Sequence, residues 1–71
     1  MSEWTSVSAK ELLRVLIGKG WEIKRTTGSH RVLSHESFPD FVFAFHDREE
    51  VGPKMLSRIA KKTGLTPQDL R

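Results

Sequence analysis

The run Arg25-Thr26-Thr27-Gly28-Ser29-His30 places a histidine directly after a Gly-Ser corner, with Lys24 just upstream. An imidazole has an ordinary pKa of about 6.5, so it can take up or release a proton near neutrality. Positioned proton transfer of that kind is worth about 10²–10⁴-fold in rate. Lys24 and Arg25 can supply positive charge to a phosphate and to the charged species through which it reacts. Gly28 allows a positive φ and close backbone approach, while the Ser29 hydroxyl can bond a phosphate oxygen or orient His30. Each residue also has a plainer role available. Ser29 can simply close a turn, Gly28 can serve backbone geometry alone, and a lone histidine opening a strand is commonly a surface residue.

The other two histidines carry less. His46 ends a strand-like run and reads either as a second residue of the site or as a hydrogen-bonded anchor. His35 reads as a solvated side chain. Histidine spacings of five and eleven, in a chain with no cysteine, match no usual zinc pattern, so neither a metal nor a cofactor is expected.

The elements that must position these residues are readable from periodicity. Ser8-Ala9-Lys10-Glu11 is a capping box: the Ser8 hydroxyl can accept from the Glu11 N–H, and the Glu11 carboxylate can reach back. It opens a helix from about Ala9 to Lys19, with Val7 placed to meet Leu12 as a hydrophobic staple. Leu12, Leu13, Val15, Leu16 and Ile17 form its broad apolar face, with Glu11 and Arg14 on the wet side, and Gly18 and Gly20 bracket its end. Three strand-like runs follow: Trp21 to Thr26, with Trp21 and Ile23 on one face, Arg31 to Ser34, and Phe41 to Phe45. Phe38-Pro39-Asp40 reads as the turn between the last two, because proline denies a ladder its donor. Phe41, Phe43 and Phe45 share one face at period two; they read as core beneath the helices rather than as a base-stacking platform.

Gly52-Pro53 opens a second helix that runs from about Pro53 to Thr63 and closes at Gly64-Leu65. Met55, Leu56, Ile59 and Thr63 make one face, and Lys54, Arg58, Lys61 and Lys62 the opposite one. That basic stripe is equally readable as an ordinary wet helix face or as an RNA footprint. Thr66-Pro67-Gln68-Asp69 begins a short terminal helix. The order helix, strand, strand, strand, helix gives a two-layer α+β domain, with both helices on one face of a three-stranded antiparallel sheet. Double-stranded-RNA-binding domains share that plan.

Composition sets the bounds. The 71 residues make one domain that would bury only about 60% of its unfolded surface, so a partner would add appreciably to its stability. Twelve Lys plus Arg against nine Asp plus Glu leave a net charge of +3, which favours a polyanionic ligand. The absence of cysteine suits a reducing compartment. The residues Met1-Ser2-Glu3-Trp4 do not start a secretory signal, and no apolar run is long enough for a membrane helix, so a cytoplasmic location and no membrane partner are expected.

Gly20-Trp21, Gly28-Ser29-His30, His46 with Glu50-Val51, Leu56, Ile59 and Gly64-Leu65 resemble, in order and spacing, the HicA family of small messenger-RNA-cleaving toxins. The resemblance runs from Ser8 to Leu65, within a single HicA-like domain of residues 1–71. It implies a double-stranded-RNA-binding-like fold, a ribosome-independent endoribonuclease acting on mRNA, and a HicB-type antitoxin protein that covers the site. It also makes His30 the catalytic residue and matches His46 to a recurrent family position, while the chemistry and placement of the residues themselves make Lys24, Arg25, Gly28, Ser29, Lys54, Arg58, Lys61 and Lys62 the RNA-binding or supporting candidates. Glu49, Lys54 and Ser57 depart from the lysine, glycine and arginine frequent at those places in the family. RNA chemistry fits the residues, because the 2′-OH is a built-in nucleophile that needs proton removal and charge neutralisation but no metal. From another class, a non-catalytic RNA-binding module would show salt-sensitive binding indifferent to His30. A protein-binding adaptor would bind RNA weakly or not at all.

Overall fold

The computed structural model describes residues 3–71. Met1 and Ser2, part of the expectation about the amino terminus, lie outside the described residues. The chain runs β1 (Val7–Ser8), α1 (Ala9–Gly18), β2 (Glu22–Thr27), β3 (His30–His35), β4 (Phe38–Phe43), β5 (Glu50–Val51), α2 (Pro53–Thr63) and a 3₁₀ turn (Pro67–Leu70). An antiparallel sheet of order β2-β3-β4 carries the central strands, and β1 pairs with β5 in a separate two-stranded ladder. The α+β plan is the one expected from the sequence. The small ladder was not, because two-residue strands show no periodicity.

Local chemistry sets the ends of both helices. The Ser8 Oγ accepts from the Glu11 N–H at 3.2 Å, so α1 starts where the cap lies, but the expected return bond is not made: the Glu11 carboxylate pairs with Arg14 one turn on. Lys19 ends it with φ −94°, and the positive φ that turns the chain into β2 is taken by Gly20 at +101°. Pro53 starts α2, and Gly64 closes it at φ +77° by donating its N–H to the Ala60 carbonyl.

The core joins both helices to one face of the sheet. Leu12 and Leu16 of α1, Leu33 of β3, Phe43 of β4, and Leu56 and Ile59 of α2 are all buried in one cluster with Trp21, Val51 and Leu65. Phe41 and Phe45 pack against it while Phe43 is fully buried, so the phenylalanine stripe is core. Three apolar positions differ from expectation. Ile17 and Met55 sit at the margins of their helical faces and are 47% and 39% exposed. Ile23 is exposed because β2 is an edge strand, all six of whose residues are exposed.

The Phe38-Pro39-Asp40 turn is also corrected: these residues open β4, and the turn is Glu36-Ser37. Pro39 is tolerated because β4 is an edge strand and its pairing with β3 slips by one residue between Phe38 and Phe41. The third strand accordingly runs from Phe38 to Phe43 rather than from Phe41 to Phe45.

At the carboxyl end, Asp69 accepts from the Thr66 N–H at 2.7 Å and meets Lys19 Nζ at 3.0 Å, joining the last turn to the end of α1. The Thr66 amide, helped by Lys19, holds the Asp69 carboxyl below the ordinary aspartate range. A lowered native pKa stabilises the fold above the unfolded-state value and ceases to do so as pH falls through the native one. Asp69→Ala is expected to cost about 1 kcal/mol at neutral pH, lowering Tm by about 4–8 °C, with the deficit shrinking as pH falls through the lowered native pKa of Asp69. Thermal unfolding of both proteins across that range checks it.

Candidate active site

The hairpin between β2 and β3 delivers His30. Thr27 and His30 are directly paired, leaving Gly28-Ser29 as a two-residue loop. Gly28 has φ +59°, and no residue other than glycine has positive φ among those described. A positive φ at the first loop residue alone is the type II′ pattern, which suits glycine there and matches the right-handed twist of the strands. A Cβ on Gly28 would meet nothing within 4 Å, so its requirement is conformational rather than steric. Gly28→Val is expected to cost about 1–2 kcal/mol, with hairpin amide shifts reporting the distortion.

Register then decides which way each side chain points. Leu33 pairs with Phe41 and Arg31 with Phe43, so the buried Leu33 and Phe43 define the inward face. His30 alternates with Arg31 and therefore belongs to the outward face, with Val32, Arg25 and Val42 in line beyond it. His30 and Arg25 are exposed, and neither has a side-chain hydrogen bond or ion pair among the described residues. An imidazole and an unpaired guanidinium thus share an open strand face, and Ser29 stands half-buried in the turn next to them. Lys24, the extra residue of a bulge in β2, donates to Asp40 Oδ2 at 2.9 Å. Its charge is partly committed, though both side chains remain half-exposed.

His46 reaches the same end of the sheet by another route. Because Phe43 lies opposite Arg31, the chain leaves β4 at the end where the Gly28-Ser29 turn sits. Arg31, inward-facing and mostly buried, sends Nη2 to Asp47 Oδ1 at 3.4 Å, while its buried Nη1 has no partner. That contact ties the loop after β4 to the strand that carries His30. Glu49 braces the loop by accepting from the His46 N–H through Oε1, and its own N–H donates to the His46 carbonyl. The His46 ring itself is exposed. Arg31 was missed by reading the sequence, although an arginine two positions before a core leucine on a strand must share its inward face.

His35 is not the solvated residue expected. Its Nδ1 accepts from the Ser37 N–H at 3.0 Å, its Nε2 lies 3.1 Å from the Lys19 carbonyl, and its ring packs against Trp21 and Phe38. It fastens the β3–β4 turn to the end of α1. Gly20 makes room for it, since a Cβ there would sit 3.0 Å from His35 Nε2. Lys54, Arg58, Lys61 and Lys62 are exposed on α2, on the helix layer rather than on the strand face that carries His30.

Against this geometry, residues 9–65 match the model of the HicA toxin of bacterial toxin–antitoxin systems. The chain belongs to the HicA toxin family. Membership makes an antitoxin the kind of partner that goes with this HicA chain. A search of curated proteins found no match. No helix among the described residues of the HicA chain is long and apolar enough to cross a membrane.

Proposed function

We propose that this HicA chain is a metal-independent endoribonuclease that cleaves mRNA with His30 as its acid/base residue, and that a HicB-type antitoxin neutralises it. The observation that carries the reading is the II′ turn, which holds an exposed, unpartnered His30 on the same open face as the unpaired Arg25. In the step so assigned, the His30 imidazole removes the proton of a 2′-OH and O2′ attacks the adjacent phosphorus. The P–O5′ bond breaks, and the leaving oxygen takes a proton from the imidazolium or from water. Arg25, with Lys24 beside it, offsets the charge that builds on the phosphoryl oxygens. Ser29 and the Gly28 backbone are assigned the close approach at the turn, and His46, whose loop leaves β4 at the same end of the sheet, is the candidate for a second proton-transfer group. Lys54, on the helix layer, would extend the phosphate path for an RNA long enough to pass the end of the sheet.

The test is incubation of the purified chain with a structured RNA in EDTA. Cleavage supports the reading. Intact RNA that binds with a steep salt dependence would instead make the domain a non-catalytic RNA-binding module.

A further inference from the structure

A groove of about 520 Å³ runs along β4 and the segment after it, with α2 as its other wall. Its apolar lining includes Phe41, Val42 and Phe45 on one side and Met55 on the other, and Arg58, Lys61 and Lys62 are its charged residues. Phe41 and Val42 point to opposite faces of β4, so the groove lies at the strand's edge, and that edge is unpaired in the sheet order β2-β3-β4.

We propose that this groove is the docking site for an extended, acidic and aliphatic segment of a partner protein, laid alongside the β4 edge. Charge complementarity selects the occupant. Arg58, Lys61 and Lys62 gather on this one groove, and none of them has an ion-pair partner among the described residues. Carboxylates on an incoming strand would pair with them. The apolar surface selects protein over RNA: Phe45 is packed edge-on to Phe43 and Phe41 edge-on to Trp21, whereas the exposed groups are aliphatic, Val42 at 53% and Met55 at 39%. Single-stranded RNA is gripped by free aromatic faces, but aliphatic side chains are gripped by surfaces such as this one. An unpaired strand edge adds main-chain hydrogen bonds of the kind that hold peptides by strand addition. The proposal takes from the reading above only that the chain works with a protein antitoxin, and it stands apart from the reaction at His30.

Random peptides of about twelve residues displayed on phage, selected on the folded chain, test it. Enrichment of alternating aliphatic and acidic sequences is expected, with amide shifts confined to Phe41–Phe45 and Met55–Lys62 when a selected peptide is added. Met55→Glu and the double variant Arg58→Glu/Lys62→Glu change exposed side chains, and circular dichroism confirms their folding. Each is expected to weaken the peptide at least about tenfold. The proposal is overturned if no such sequence is enriched, if the shifts lie elsewhere, or if the variants bind equally well. A single-stranded RNA that shifts these amides where no peptide does would give the groove to nucleic acid.

Discussion

Replacing His30 with alanine is expected to slow RNA cleavage by about 10²–10⁴-fold while leaving thermal unfolding unchanged within about 0.5 kcal/mol. The two halves follow from the same geometry. The side chain is exposed, stands on the outward face of β3, and has no hydrogen-bond or ion-pair partner among the described residues, so the fold loses nothing when it is removed. Chemistry loses the group that takes the 2′-OH proton. Rates under single-turnover conditions, with folding matched by circular dichroism, separate that loss from weaker binding. His30→Ala that cleaves as fast as wild type would sink the assignment. A large fall in stability would mean that His30 is structural instead.

Phe43→Ala is expected to cost about 3–5 kcal/mol. A 71-residue domain has roughly 4–11 kcal/mol in all, so this single change should leave the chain largely or partly unfolded at 37 °C. Phe43 is fully buried in the cluster that also takes in residues of both helices, and it packs edge-on against Phe45. Its chain neighbour Val42 is half-exposed on the opposite face, so Val42→Ala should change stability by well under half as much. Urea unfolding of the pair checks the face assignment on which the placement of His30 rests. Equal losses at 42 and 43 would mean that the register, and with it the outward direction of His30, is wrong.

The parts of this fold that were legible in the sequence are those set by local chemistry or by a sustained period. Ser8 and Glu11 announce α1, Pro53 and Gly64 bracket α2, and Phe41 and Phe43 alternate toward the core. What could not be read depends on partners distant in the chain. Pro39 suggests a turn until β4 is known to be an edge strand with a slipped register. Ile23, on the same face as Trp21, reads as core until all of β2 is found exposed. His35 becomes a fastener only because Gly20, Trp21 and Phe38 converge on it. The turn that presents His30 was legible because Gly-Ser between two strand runs specifies it locally. The tether from Arg31 to Asp47 was not, since it joins residues sixteen apart whose approach depends on the β3–β4 register.

Chemical analysis of the RNA ends left by the wild-type chain in EDTA tests the central claim most directly. Proton removal from a 2′-OH by His30, followed by attack on the neighbouring phosphorus, predicts a 2′,3′-cyclic phosphate on one fragment and a 5′-hydroxyl on the other, with no cut where the 2′-OH is replaced by hydrogen. Fragments ending in 3′-hydroxyl and 5′-phosphate, or cleavage that continues at 2′-deoxy positions, would contradict it.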